Sequence, residues 1–367
     1  MLLGNNTCHH DNISDLIIQY IAMVACILSS IGSFIIILSY LLIRPIRTKV
    51  REILVHLSVM DLTYSLANLI GLILNYDNHI KEVSGSCEPK LTHPYDIICK
   101  VQGGVAFYAT ISSLLWTSGI AVYLYFRVVV NKDKMIRVVV LLLYLTCWGI
   151  PATLTTWVLY VEAIGYDYSS SGGWCALKQK SQSTHTGDVV IAIFNNDLWI
   201  MLTTVLVVML CGLIHFHIRK QLRFMKESHT LLSNSATELQ RTDTKLLFIP
   251  VIFIILRIWD VVFNVLTVYN SVDLPTGVEI TLKLLAAIGD SSQGLCNVVL
   301  YCVFTPTVRR YFMKPFNRCG CCHGDEEERQ RLLSSTWLLS TGSSRHGHHS
   351  NSGVMRTSSI SSKQVTT

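Results

Sequence analysis

Residues 279–304 read EITLKLLAAIGDSSQGLCNVVLYCVF, and how this stretch is read decides the fold. It is long and apolar enough to cross a bilayer, which takes about 20 residues. Its middle nevertheless carries Asp290, Ser291, Ser292, Gln293 and Asn297. Ionisable and amide side chains at membrane depth are costly unless a partner or a water cavity takes them up. The segment therefore cannot face lipid on every side and belongs inside a helical bundle. Basic and aromatic residues follow it, then Cys319, Cys321 and Cys322, then a hydrophilic tail.

The rest of the chain supplies that bundle. Of 367 residues, 50% are hydrophobic and only 15% charged, too apolar for a soluble domain of this size. Seven apolar stretches of spanning length fall near 16–43, 53–76, 97–128, 136–161, 189–217, 245–269 and 277–304. The expected fold is an all-α membrane protein, a seven-transmembrane helix bundle over 16–304. Residues 1–15 are polar and carry no cleavable signal, so the first span is expected to act as an uncleaved anchor.

Lysine and arginine orient the bundle. Segments following the odd-numbered spans hold Arg44, Arg47, Lys49 and Arg51, then Arg127, Lys132, Lys134 and Arg137. Arg219, Lys220, Arg223, Lys226, Arg241 and Lys245 follow the fifth span, and Arg309, Arg310, Lys314 and Arg318 the seventh. The opposite loops carry only Lys81, Lys90, Lys178 and Lys180. The amino terminus is therefore outside and the tail inside. The net charge of +6 reads as cytoplasmic-leaflet chemistry, with no call for nucleic acid. Both N-x-[ST] acceptors, Asn5 and Asn12, lie in the outer segment, where glycosylation is possible. Of twelve cysteines, Cys8, Cys87, Cys99 and Cys175 face the oxidising side, whereas Cys319, Cys321 and Cys322 face the reducing cytosol.

Several short motifs then resemble a known family. Cys147-Trp148-Gly149-Ile150-Pro151 in the fourth span is similar to the WGxP of secretin and adhesion receptors. Gln293-Gly294 and Tyr301-Cys302 resemble their QG…YC at the same spacing, and His56 matches their second span. Leu57-Ser58-Val59-Met60-Asp61 is closer to the LAxxD of rhodopsin-like receptors. The mixture resembles the cyclic-AMP-receptor-like group of G-protein coupled receptors, over roughly 24–312. The resemblance implies a plasma-membrane receptor that passes an extracellular signal to a heterotrimeric G protein, with a ligand it does not identify. It also implies a disulfide between Cys99 and Cys175, leaving Cys8 and Cys87 for a second. The chain departs from the pattern too. There is no DRY after the third span and no NPxxY in the seventh, and Ile120 replaces the glutamate that secretin-type receptors place after the third-span tryptophan. Of their latch between spans two, three and seven, only His56 and Tyr301 remain. About fifteen residues precede the first span, too few to fold alone, so no hormone-binding domain is expected.

Within the bundle, Arg257, Asp260 and Asn264 share one face of the sixth span at i, i+3, i+7. Counted from the cytoplasmic ends at about 1.5 Å per residue, Arg257 and Asp290 reach similar depth, with Asp61 somewhat nearer the cytoplasm. A buried arginine needs a carboxylate, best held bidentately. Arg257 and Asp290 are thus expected to pair, either as a static contact or, with Asp61, Asp260, Gln293, Asn297 and Tyr301, as a polar switch. The resemblance gives a switch its motion, since activation in the family moves span six relative to span seven. Nearer the outside, Lys100, Asp197, Asn264, Glu279 and Lys283 are candidates to line a ligand cavity, although Glu279 and Lys283 at i, i+4 also suit each other.

On the cytoplasmic side, the basic span ends with His215 and His217 suit the carboxyl-terminal helix of a G-protein α subunit, and solvated positive-inside charge accounts for most of the same residues. Val308, Tyr311, Phe312 and Phe316 alternate with Arg309, Arg310 and Lys314, which predicts an amphipathic eighth helix over 305–318 lying in the interface. Cys319, Cys321 and Cys322 beside it are candidates for palmitoylation. Residues 319–367, serine-rich and without periodicity, are expected to be disordered, with hydroxyls that phosphorylation would prepare for arrestin. Glu328–Leu333 resembles an acidic dileucine signal.

Enzyme readings find no GxSxG, no HExxH and no phosphate-binding glycine loop, so neither catalysis nor a cofactor is expected. The position of an opsin's Schiff-base lysine is Ser291, and Lys283 lies about two turns too far out. The rival class is a transporter, because polar midplane residues suit either. No repeat relates the first three spans to the last three.

Overall fold

Helix is the only structure in which a lipid-embedded segment satisfies its backbone within itself, short of a closed barrel, and each apolar run becomes one. The computed structural model describes residues 13–44, 47–74, 80–81, 90–166, 174–177, 196–227, 248–266 and 275–304. Helices α1 (Ile13–Leu42), α2 (Lys49–Leu74), α3 (Tyr95–Tyr125) and α4 (Asp133–Tyr160) are followed by α5 (Asn196–Glu227) and α6 (Phe248–Asn264). The seventh span is two pieces, α7 (Thr276–Ser291) and α8 (Gln293–Phe304). Among the described residues, α1 to α5 each contain a stretch long and apolar enough to cross a membrane by themselves.

Two spans differ from their expected form. The fifth helix runs on to Glu227, beyond the expected 217, because Arg219, Lys220, Gln221 and Arg223 are good helix formers and continue the backbone ladder into water. The seventh bends at Ser292, between Gly289 and Gly294, although the Ser292 N–H still bonds Ile288 O at 2.9 Å. The bend lets the two halves press on different neighbours. A Cβ on Gly289 would strike the Leu256 carbonyl of α6, and one on Gly294 would strike Ser33 Oγ of α1. Close backbone approach through small residues is how helices pack where lipid removes the hydrophobic drive.

Helix α3 is the centre of the bundle. Ala109, Ile111, Leu114, Trp116, Ile120 and Ala121 are fully buried. Around its cytoplasmic half, Leu54, Leu57, Ile36, Ile214 and Tyr301 make one core cluster, and around its outer half Phe107, Val158, Ile200, Phe253 and Val261 make another. Helix α4 is the opposite case: Val138, Leu141, Leu142 and Leu145 are exposed, the side chains a lipid-facing helix needs. At the inner end of α3 a π turn, Phe126–Val130, ends at Asn131 in the left-handed conformation (φ 48°), which asparagine tolerates better than most residues. Only Asn131 and Lys132 then separate it from α4.

On the outer face, β3 (Ile164–Gly165) pairs antiparallel with β4 (Ala176–Leu177), after a short pair β1 (Ile80–Lys81) and β2 (Lys90–Leu91). Cys175 beside β4 is disulfide-bonded to Cys99, with Cα atoms 5.4 Å apart. The Cys175 N–H also bonds Gln102 Oε1 at 2.9 Å, so the hairpin is fastened to the outer end of α3 twice. Cys8 and Cys87, the candidate glycosylation acceptors Asn5 and Asn12, the helix expected at 305–318, Cys319, Cys321, Cys322 and the tail all lie outside the described residues.

Candidate functional site

Asp290, Gln293 and Asn297 recur along one face of the seventh span, and that face meets α2, α3 and α6 near mid-depth. Arg257 Nη1 donates to Asp290 Oδ1 at 3.0 Å, and Nη2 donates to Gln293 Oε1 at 3.4 Å. Gln293 Nε2 donates to Ser113 Oγ at 2.8 Å, and Ser113 Oγ donates to Asp61 Oδ1 at 2.8 Å. Asn297 Nδ2 reaches the other Asp61 oxygen, also at 2.8 Å. A continuous chain Asp290–Arg257–Gln293–Ser113–Asp61–Asn297 thus joins four spans.

The arrangement differs from a bidentate pair. The guanidinium divides its two ends between a carboxylate and an amide, while its faces lie 5.5 Å from the Tyr64 ring and 5.8 Å from Phe253. Such contacts favour a desolvated cation. Arg257 is 3% exposed at its side chain, against 18% for Asp290, so the arginine is the dry end of the pair. Two carboxylates share the chain with one guanidinium, and Asp61 is stabilised chiefly by neutral donors. Asp260, one turn further out on α6, is half-buried. Tyr301 is buried in the cytoplasmic core cluster and takes no bond in the chain.

Of the five candidate cavity residues, Lys100, Glu279 and Lys283 have described side chains, and these sit in separate local contacts. Lys100 lies 3.1 Å from Asp96 and 3.9 Å from Glu162 at the outer end of α3. Lys283 bonds Glu279 at 2.9 Å and lies 5.8 Å from the Phe263 ring centroid. Asp197 and Asn264 occupy the outer ends of α5 and α6, with side chains outside the described set.

Sequence reading passed over Ser113 and Tyr64. Serines in spans usually bond their own helix, as Ser58 does to Leu54 O, and nothing local separates Ser113 from Ser112, which donates to Cys147 O of α4 at 2.9 Å. The rotation of about 100° between successive helical residues decides which neighbour each meets. Of the family's latch only His56 and Tyr301 remain, and they do not share a bond: His56 meets Tyr144 of α4 at 3.0 Å, and the latch's glutamate position is Ile120, fully buried on α3.

Known proteins resemble this chain in sequence and in fold. Residues 15–295 match the family model described as 7 transmembrane receptor (Secretin family). The chain is 29% identical to G-protein coupled receptor 157 of Mus musculus, over 82% of this chain and 86% of that protein. The Homo sapiens G-protein coupled receptor 157 is also 29% identical, over 79% and 81%. Among solved structures, squid rhodopsin superposes with a TM-score of 0.62 at 14% identity, covering 88% of this chain and 87% of that one, a likeness of fold. With the family model spanning most of its length, this chain belongs to the secretin family of seven-transmembrane receptors, and it is a G-protein coupled receptor.

Proposed function

We propose that the receptor works at the plasma membrane, and that Arg257 and Asp290 form its switch. The observation that carries this reading is the ion pair itself, which bridges α6 to the bend of the seventh span at 3.0 Å. If activation shifts α6 against that span, the guanidinium leaves Asp290 and the chain through Gln293, Ser113 and Asp61 must rearrange with it. A buried charge pair resists partial separation strongly, so the equilibrium has two discrete states. An extracellular ligand entering near Lys100, Asp197, Asn264, Glu279 or Lys283 would bias it from above. Asp260 and Tyr301 flank the chain on the outer and cytoplasmic sides. Glycans on Asn5 and Asn12, a second disulfide Cys8–Cys87, acyl chains on Cys319, Cys321 and Cys322, and arrestin at a phosphorylated tail complete the reading. Because the fold and family are those of receptors, a transporter is not favoured.

The test is signalling normalised to surface expression, read as cyclic AMP and inositol phosphate in one cell line. Arg257→Ala and Asp290→Asn should each change basal output, and the exchange Arg257→Asp with Asp290→Arg should recover part of the loss. Unaltered output from both single variants at normal surface level would refute the switch.

A further inference from the structure

Resting on the receptor reading above, we infer that Glu52, Tyr144 and His56 form a clasp between α2 and α4 that positions the α3–α4 corner for the G protein. Tyr144 Oη donates to Glu52 Oε1 at 2.7 Å and lies 3.0 Å from His56 Nε2. A phenol has one proton. With that proton committed to the carboxylate, Nε2 of His56 must carry hydrogen and donate to the tyrosine oxygen. The donor is present in neutral and protonated imidazole alike, so the clasp does not depend on the histidine's charge. Glu52 and His56 are one turn apart on α2, and a single tyrosine bridges both. Lys49 bonds the same carboxylate at 2.8 Å, which fixes its orientation from the cytoplasmic side.

The imidazole is held on its other faces as well. It stacks on Trp116 of α3 with centroids 4.8 Å apart and planes 16° from parallel, and meets Trp148 of α4 edge-on at 5.8 Å. Its plane is therefore set by three helices, and neither Tyr144 nor His56 can move without the other. This matters for α4 because its outer surface is lipid-facing and its hold is on one side only. Besides the clasp, Ile136, Val140 and Cys147 pack in the cytoplasmic core cluster, Ser112 donates to the Cys147 carbonyl and Leu143 lies against Gly119. The α3–α4 connection is too short to absorb any displacement. It consists of Asn131 and Lys132, braced by Arg127 and Asp133 at 3.6 Å. A shift of α4 must therefore carry the π turn and Arg127 with it, and these residues lie on the face a G protein meets. Tyr144 is thus a positioning residue, acting on the partner through the corner.

Amide hydrogen exchange on the purified full-length receptor in lipid nanodiscs tests the clasp directly. Tyr144→Phe keeps the ring and removes both bonds, and should speed exchange over residues 126–140 by about tenfold while leaving residues 198–221 of α5 as in wild type. Glu52→Gln keeps an acceptor for the phenol but loses the charge and the Lys49 contact, and should speed exchange over the same residues by less than Tyr144→Phe does. Unchanged exchange in Tyr144→Phe, or a uniform rise across all helices, overturns the clasp. The corner's purpose is read from nucleotide loading, with a panel of purified heterotrimers as the probe and no ligand added. Tyr144→Phe should raise the heterotrimer concentration for half-maximal rate about tenfold with the maximal rate kept. A lowered maximal rate at unchanged half-saturation overturns the positioning role. Wild-type receptor that loads no heterotrimer overturns the coupling on which the inference rests, while the exchange result still decides the clasp.

Discussion

At the outer end of α3 the chain is fastened by a covalent bond, Cys99–Cys175, with Gln102 and the packed backbone of Gly103 beside it. At mid-depth, α6 meets the seventh span through an ion pair, one long amide bond and a backbone approach at Gly289. Both regions are buried, yet they resist motion differently. A disulfide with neutral hydrogen bonds has a single arrangement, whereas an arginine between Asp290 and Gln293, with Asp61 two links away, has alternatives of similar chemistry. The outer corner therefore serves as a fixed frame, and the midplane joint is where a two-state element can sit. Family membership assigns the motion to receptor signalling, and the geometry says which contact must give.

The largest effect should come from breaking that joint. Arg257→Ala leaves Asp290 without its cation inside the bundle, a loss of about 3–5 kcal/mol by analogy with buried pairs in soluble proteins. Thermal unfolding of the detergent-solubilised receptor should show the drop, and the charge exchange should restore part of it. Equal melting of wild type and Arg257→Ala would mean that the pair is hydrated and weak, and would erase the contrast with α3. Next comes the frame. Cys175→Ser removes a cross-link of sequence separation 76, which should destabilise by about 2–5 kcal/mol and lower the fraction reaching the cell surface. Because this change strains the frame and not the joint, the correctly folded fraction should signal from the same basal level as wild type.

A smaller effect is expected at Gly289. Alanine there places a methyl group against the Leu256 carbonyl, and because that atom is backbone, α6 must move as a whole. Overpacking of this kind costs about 1–3 kcal/mol. The direction is informative: separating the helices lengthens the Arg257–Asp290 contact, so Gly289→Ala should shift basal signalling the same way as Asp290→Asn. Opposite shifts in the two variants would show that the backbone approach and the ion pair belong to different states.

Much of this was legible before any coordinates, and the reason is the membrane. Lipid forces each span into a helix and makes each buried charge conspicuous, so the spans are read from apolar length, their expected orientation from lysine and arginine, and the meeting of Arg257 with Asp290 from depth. What was not legible depends on rotation about helix axes. Nothing in the local sequence tells Ser113 from Ser112, and no spacing rule places Tyr144 against residues on α2 that precede it by 92 and 88 positions. The bend at Ser292 was hidden for a related reason. Serine and glycine are tolerated in straight transmembrane helices, and only the two different neighbours at Gly289 and Gly294 explain why the span turns there.

The smallest effect should fall on the outer rim, where a second ion pair on the same span offers a control for the first. Lys283 and Glu279 lie one turn apart at 2.9 Å, with side chains 31% and 40% exposed. Water competes for both groups, and each loses rotamer freedom when the contact forms, so such a pair contributes roughly 0–1 kcal/mol. Lys283→Ala should accordingly melt within about 1 kcal/mol of wild type, and raising the salt concentration should abolish what difference there is. The Arg257–Asp290 pair has nearly the same N···O distance, 3.0 Å, with its arginine almost wholly buried, and salt should leave it unmoved. Distance is thus held constant while burial changes, which isolates burial as the cause. A salt-insensitive loss from Lys283→Ala comparable to that from Arg257→Ala would show that the rim closes over Lys283 in the working receptor. The lysine would then belong to the ligand cavity, with Glu279 as its resting partner.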